Sequence, residues 1–347
     1  MSALKQIQPL DLNTLETMLD YIDADTDRTE WVKTLMAIKC EFGDDAKAIA
    51  REWSATASNF NAGAFNATWK SIKANGGVTI ASLIHQAKQN GFHFAPINQD
   101  QRQQLAKLAK QRHQAQIKAQ AEEKQRIERQ YQQASRQANQ ILANATIAPD
   151  DHPYLKRKSI ASHGALCGNV FTYQNALIIP VFGTCNVFAG EVQSLQFIQP
   201  DGAKRFLTGG KMKGGHYPIQ WIEDAPIVIC EGFATGATLA EHFTPFSSVI
   251  CAFNAGNLLS VATAFKRQYP MRQIIIAGDN DHQTEKTTGI NTGKQKAIEA
   301  AKAIDGLVSI PMFEEWETGT DWNDRYLIDQ QEKALLDFDN VLMEGYV

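Results

Sequence analysis

The chain is poor in cysteine, and its thiols are not spaced as pairs. Cys40, Cys167, Cys185, Cys230 and Cys251 lie singly along 347 residues, with no C-x-x-C among them. That excludes a disulfide framework and a zinc ribbon, so no zinc is expected. Long apolar runs are missing too: none reaches the roughly 18 to 20 residues of a membrane span. The opening MSALKQIQPLDLNTLE lacks the basic-then-apolar order of a secretion leader. A cytoplasmic location with no membrane partner is the expectation. There is no excess of positive charge either. Against 34 Lys and Arg stand 38 Asp and Glu, a net charge of −4. This excludes a globally basic nucleic-acid binder but leaves a local basic groove open. The eight histidines form no H-x₃₋₅-H or HExxH array, and no Ser-His-Asp arrangement is evident.

What is present divides into segments. The length suits two or three domains. Residues 1–95 carry apolar side chains at helical spacing: Leu12, Leu15, Leu19 and Ile22, then Trp31, Leu35 and Ile38, then Ile49 and Trp53. Breaks fall at Asp23 to Asp27, Gly43-Asp44-Asp45 and Asn75-Gly76-Gly77. Thr79 is placed to cap a last helix, Ile80 to Gln89. The three tryptophans of this segment, Trp31, Trp53 and Trp69, read as fillers of a helical core. Residues 96–148 are a different material, rich in Gln and Ala. From Asp100 to Ala145 there are nine Lys and Arg, four acids, and no Gly or Pro. Summed helix propensity predicts one helix of about 40 residues. Its apolar positions are too sparse for a heptad seam, so it reads as a solvated linker helix or as a basic strut near nucleic acid.

From about residue 149 strands and helices alternate. Four apolar runs, Ile227–Cys230, Val249–Ala252, Ile274–Ala277 and Leu307–Ile310, start 22, 25 and 33 residues apart. Helical stretches at Thr235–His242, Leu258–Gln268 and Thr292–Ile304 fill the gaps. This rhythm predicts a four-stranded parallel sheet covered on both faces, with every strand's carboxyl end on one edge. Acidic residues follow three of the strands: Glu231-Gly232, Gly278-Asp279-Asn280-Asp281, and Gly319-Thr320-Asp321-Trp322-Asn323-Asp324. Open α/β sheets bind ligands at that edge. Crowded carboxylates repel unless divalent cations neutralise them, and hard oxygen ligands favour Mg²⁺ or Mn²⁺. Such a cluster suits phosphoryl transfer.

A glutamate after the first strand, an Asp-x-Asp after the third and a later Gly-x-Asp group resemble the Toprim domain shared by bacterial-type primases, topoisomerases and some nucleases. The resemblance implies that Glu231 is the general acid/base or metal-linked glutamate. It makes Asp279 and Asp281 metal ligands, Asp321 a further acidic ligand and Asp324 a helper at the same metal site. Other Toprim families often carry an aspartate four residues after the glutamate; here Thr235 stands there. The Glu231-Gly232-Phe233-Ala234-Thr235-Gly236 form looks like the Toprim primases of phages and conjugative plasmids. So do His152-Pro153-Tyr154-Leu155, Leu177–Val181, Val192–Ile198 and Asp201–Leu207. Within residues 1–95, Trp31–Ala37, Arg51–Ser54, Thr68–Ser71 and Gly77–Leu83 resemble the helical PriCT domain of such primases.

The fold this implies is an α/β Toprim core (225–347), a Rossmann-like four-stranded parallel sheet, preceded by a small α+β subdomain with a basic loop (149–224). A separate all-α N-terminal domain (1–95) and the long helix (96–148) complete it.

Lys204, Arg205, Lys211 and Lys213 fall among glycines after a predicted hairpin at Pro200-Asp201-Gly202. They are candidates for holding triphosphate or template backbone. Gly289 to Lys294 imitates a P-loop and fails as one: the glycines are one residue too close, and Gln295 replaces the required hydroxyl. Lys286 and Lys294 remain candidates for nucleotide phosphates. The resulting expectation is a mobile-element DNA primase that joins nucleoside triphosphates on single-stranded DNA and works with a separate replicative helicase. A metal-dependent Toprim nuclease, or a non-catalytic DNA-binding replication accessory protein, are the competing readings.

Overall fold

The computed structural model describes residues 10–72, 78–168, 175–184 and 189–344, with side chains to residue 333. The Asn75-Gly76-Gly77 break and Cys185 lie outside the described residues. The chain divides into two compact units, residues 1–126 and 127–347.

The first unit is helical: α1 (Leu12–Leu19), α2 (Arg28–Phe42), α3 (Lys47–Ser54), α4 (Ala62–Ser71), α5 (Ile80–Gln89) and the first part of α6 (Gln99–Leu142). Short polar side chains start these helices by accepting orphan backbone N–H groups. Asp11 takes that of Thr14, Asp27 those of Thr29 and Glu30, and Asn61 that of Ala64. Thr79 holds the N-cap position of α5 without a side-chain cap bond. Leu15, Met18, Leu35, Ile38, Phe65, Trp53 and Trp69 form the core. Trp53 and Trp69 are buried as expected, whereas Trp31 is half-buried and donates from Nε1 to Ser54 Oγ at 3.0 Å.

α6 runs 44 residues. Asn98 and Gln101 open it with reciprocal side-chain-to-backbone bonds, the arrangement of a capping box. Most of its residues are exposed, and two stretches of it are anchored. In the first unit Arg112 bonds the Leu10 carbonyl and Glu41 and lies over the Phe42 ring. In the second, Ala134, Ala138 and Ile141 are buried against a sheet, and Ser135 donates to the Val192 carbonyl. Those small and apolar residues recur at helical spacing only in the last three turns, too briefly for a heptad test to register.

The second unit holds, among the described residues, two five-stranded sheets. The first is antiparallel in the order β1 (Thr146–Ile147), β2 (Leu166–Gly168), β3 (Ala176–Phe182), β4 (Val192–Ile198), β5 (Lys204–Phe206), with α7 (Pro153–Lys158) beside it. β4 and β5 form the hairpin read from the sequence. The second sheet has the order β10 (Leu307–Ser309), β9 (Ile274–Ala277), β7 (Ile227–Cys230), β8 (Ser248–Cys251), β6 (Tyr217–Gln220). β10, β9, β7 and β8 are parallel, as predicted.

β6 is the difference: a fifth strand, antiparallel to β8, drawn from the segment assigned to the preceding subdomain. Tyr217 and Ile219 are buried and Pro218 is exposed, the alternation of an edge strand. A proline lacks the donor a central strand needs, so Pro218 disguised the strand while suiting an edge.

α8 (Phe233–Thr238) and the π-turn after it (Leu239–Phe243) cover one face of this sheet; α9 (Ala255–Gln268) and α11 (Thr292–Ala303) cover the other. α10 (His282–Thr288) and α12 (Trp322–Glu344) were not anticipated. No described helix is long and apolar enough to cross a membrane.

Buried Asn257 of α9 joins these parts. It accepts from the Gly214 amide and donates to the Gly215 and Ala252 carbonyls, all at 2.8–2.9 Å. Asn257→Leu keeps the volume and orphans three backbone groups, at about 1 kcal/mol or more each. We expect a Tm loss of about 6–12 °C in thermal unfolding. A loss below about 2 °C would show that water reaches those groups.

Candidate carboxylate active site

The carboxyl ends of β7 and β9 bring Glu231 and Asp279 together. Glu231 follows the last residue of β7, and Asp279 lies two beyond β9. Glu231 Oε1 and Asp279 Oδ1 are both buried without a hydrogen-bond partner. Burial, reinforced by the charges of Asp281 and Asp321, pushes the Glu231 carboxyl up to about 7, against amide hydrogen bonds from Asp279 and Ala255. Burial pushes Asp279 to about 8, helped by the charges of Glu231, Asp321 and Asp281 and opposed by Lys204. Desolvation beside like charges is the physical cause in both cases.

The other acids are held by the backbone. Asp281 Oδ2 accepts from the Gly293 amide at 2.8 Å, and its own amide donates to Asn291 Oδ1 at 3.0 Å. A Cβ on Gly293 would sit 2.7 Å from the Asp279 carbonyl oxygen, so the start of α11 packs directly on the Asp-x-Asp turn. Asn291 is 2% exposed, caps Lys294 N, and donates to Asn280 and Glu285. The false P-loop is therefore the brace of the acidic turn. The sequence reading missed Asn291, although Asn-Thr-Gly before a helix is an N-cap signal.

Asp321 Oδ2 accepts from Thr235 Oγ1 at 3.3 Å, and its Oδ1 accepts from the Asp324 amide at 2.9 Å. Thr235, four residues after Glu231, thus touches a carboxylate instead of supplying one. Asp324 is otherwise engaged: one oxygen accepts from Thr320 N and the other pairs with Lys158 at 3.3 Å. His282 bonds the Gly319 carbonyl and stacks on Phe313, fastening the loop that carries Asp321.

The basic candidates separate. In the β4–β5 register Lys204 lies opposite Ile198 and Phe206 opposite Gln196, whereas Arg205 lies opposite Phe197. Lys204 and Arg205 therefore point to opposite faces. Lys204 Nζ is 4.0 Å from where a Gly232 Cβ would be, so its charge stands beside the carboxylates. Phe206 seats the hairpin edge-on against Phe253, 6.0 Å between centroids. Lys211 and Lys213 line a hollow beside α9. Lys286 turns to Glu315, and Lys294 is exposed on α11.

Among the described residues no three His, Cys, Asp or Glu side chains close on a single point as they stand. What fits a divalent cation is the pair of buried, partnerless carboxylate oxygens, for which a cation is both counter-charge and ligand acceptor.

Comparison with known proteins agrees with this architecture. Residues 226–331 match the Toprim domain, and residues 15–87 match Primase C terminal 2 (PriCT-2). The chain thus carries a Toprim domain behind a PriCT-2 domain. It is similar to two proteins of Escherichia coli named DNA primase TraC. One is 35% identical over 205 residues, 57% of this chain and 18% of that protein; the other is 35% identical over 165 residues, 46% and 11%. The chain spans less than a fifth of the length of these relatives. The primase fragment of the bacteriophage T7 primase-helicase protein superimposes with a TM-score of 0.40 at 16% identity, covering 55% of this chain and 73% of that one.

Unfolding returns Asp279 and Glu231 to ordinary values of 3.8 and 4.5, so the folded chain binds more protons from about pH 4 to pH 8. Their contribution to stability falls as pH rises through that window and is level above it. Without divalent ions, Asp279→Asn should raise Tm at pH 8 and leave it little changed at pH 4. Mg²⁺ should stabilise the wild type at pH 8 and not the variant. Equal wild-type and variant Tm profiles across this range would show that Asp279 ionises freely.

Proposed function

We propose that this chain is the catalytic portion of a DNA primase of the phage and conjugative-plasmid type, synthesising short primers on single-stranded DNA from nucleoside triphosphates. The observation that carries the reading is the carboxylate edge of the Toprim sheet with Lys204 of the hairpin set beside it. Acids alone serve cutting or joining equally well. A cation on the hairpin beside them, followed by the glycine-rich stretch 208–215, adds a place for a triphosphate.

In the proposed reaction the primer's 3′-oxygen forms a bond to the α-phosphorus of a nucleoside triphosphate. The bond from that phosphorus to the pyrophosphate oxygen breaks, and the hydroxyl proton is released. Asp279, Asp281, Asp321 and Glu231 would hold Mg²⁺ or Mn²⁺, which supplies Lewis-acid charge to the hydroxyl and to the leaving pyrophosphate. Glu231 assists proton transfer or cation placement. Lys204 contacts the triphosphate, while Thr235, Gly293 and Asn291 keep Asp321 and Asp281 oriented. Asp324 supports Asp321 through its amide, with Lys158 as its counter-ion. Arg205, Lys211, Lys213, Lys286 and Lys294 lie outside this carboxylate network, and of these Lys211 and Lys213 are the ones proposed to meet template backbone. A separate replicative helicase is the proposed partner.

The test is incubation with circular single-stranded DNA, labelled ribonucleotides and deoxyribonucleotides, and Mg²⁺ or Mn²⁺. Wild type should yield short oligomers, whereas Asp279→Ala and Glu231→Gln should lower the yield by about two orders of magnitude or more. Lys204→Ala should mainly raise the nucleotide KM. Metal-dependent cutting of the template without oligomers would replace this reading with a nuclease. Neither product, with or without added helicase, would leave a DNA-binding accessory protein.

A further inference from the structure

Two hollows meet on the β6 side of the Toprim sheet, away from the carboxylates, with Thr184 in the wall of both. One, of about 490 Å³, is lined by Lys211 and Lys213 and, from α9, by Ser260, Thr263 and Arg267. The other, of about 480 Å³, is lined by Trp221, Tyr269, Phe265, His216 and Gln268. Neither is lined by a carboxylate among the described residues. Along α9 the two linings adjoin, because Ala264 of the first and Gln268 of the second are one turn apart.

The aromatic hollow is built, not incidental. The Trp221 indole is 39% exposed, and its ring lies 5.2 Å from Tyr269. Arg272 stacks on Trp221 at 4.6 Å from the ring centre. That guanidinium is itself fixed by the Ala225 and Ile222 carbonyls and Ser248 Oγ. A large aromatic surface is therefore held in place and partly open to solvent: Trp221 Nε1 donates to Glu223 Oε2 at 3.1 Å, and the cations Lys211, Lys213 and Arg267 line the adjoining hollow.

We infer that this double hollow is a track for single-stranded nucleic acid. The Lys211–Lys213–Arg267 end takes backbone phosphates, and the Trp221–Tyr269 end takes an unstacked base. A duplex offers phosphates but keeps its bases stacked inside, so the aromatic half selects for single strands. The choice of occupant rests on the primase reading. The track would lead the template away from the reacting edge along α9, with Lys204 at the chemistry and Lys211 and Lys213 at the start of the path.

The test uses fluorescein-labelled dT₁₂ and the full chain. Lys213→Ala with Arg267→Ala should weaken binding about tenfold at 0.1 M salt, and should reduce the slope of log K against log salt by about 1.4, two phosphate contacts of single-stranded DNA. Tyr269→Ala should weaken binding at least about fivefold with the slope unchanged. Because Tyr269→Ala could also loosen the fold, a 5-iododeoxyuridine oligomer is photocrosslinked to the unaltered protein, and adducts are expected on Trp221 or Tyr269. Adducts confined to other sites, with affinity and slope unchanged in the double variant, overturn the inference. If wild-type protein still makes primers in that case, the track fails and the primase reading stands. If the oligomer crosslinks in the track but no primers form, the reading fails and the nucleic-acid site stands.

Discussion

Like-charge repulsion at the carboxyl edge of one sheet is the constraint on which the rest of the second unit depends. Glu231, Asp279 and Asp281 follow parallel strands that end side by side, and the loop before α12 brings Asp321 into their electrostatic range. Burial makes that range costly and, with the neighbouring charges, raises the Glu231 and Asp279 carboxyls. The remaining two are kept in place from outside the cluster. α11 offers an amide and an asparagine to Asp281; α8 offers a threonine, and α12 an amide, to Asp321. The braces come from three helices, two of which, α8 and α11, also cover the sheet.

Much of this was legible in sequence because parallel strands leave a strong trace. The runs Ile227–Cys230 and Ile274–Ala277 are continuous, apolar and short, and the acids that follow them need only the chain's direction to be placed on one edge. The features that escaped were those whose signal depends on a partner far along the chain. Asn291 looked like a residue of a failed phosphate loop until Asp281 was beside it. The strand Tyr217–Gln220 is only four residues long and contains Pro218, which suits it because it lies at an edge. α6 read as solvent-facing because its buried alanines, Ala134 and Ala138, differ from its exposed ones only in what lies against them. Asp324 matched a motif position, yet its oxygens are spent on Thr320 and Lys158. Motif position gave proximity; the occupancy of each oxygen had to be seen.

The glycine-rich stretch from 208 to 215 illustrates how one segment serves both sheets. A Cβ on Gly210 would run into Ser194 of β4, and one on Gly215 into Val181 of β3. The backbone lies that close to the first sheet, while Asn257 ties it to the second. Its lysines are therefore displayed from a stretch anchored at several points, which lowers the ordering cost of meeting a polyanion.

The hairpin has a consequence for how this site tolerates change over generations. Its five-residue turn is closed by the Gln199 amide on the Ala203 carbonyl, with Gly202 at a φ of +94°. Side chains alternate across a strand, so inserting or deleting one residue in that turn would exchange the faces of Lys204 and Arg205. The local charge would be unchanged, but a planar guanidinium would stand beside Glu231 and Asp279 and an ammonium would lie against the opposite face. Apart from Gly202, whose positive φ and closeness to Arg157 resist a side chain, substitutions in the turn leave that alternation intact, whereas a change in its length by one rewires the site without altering a single residue of it.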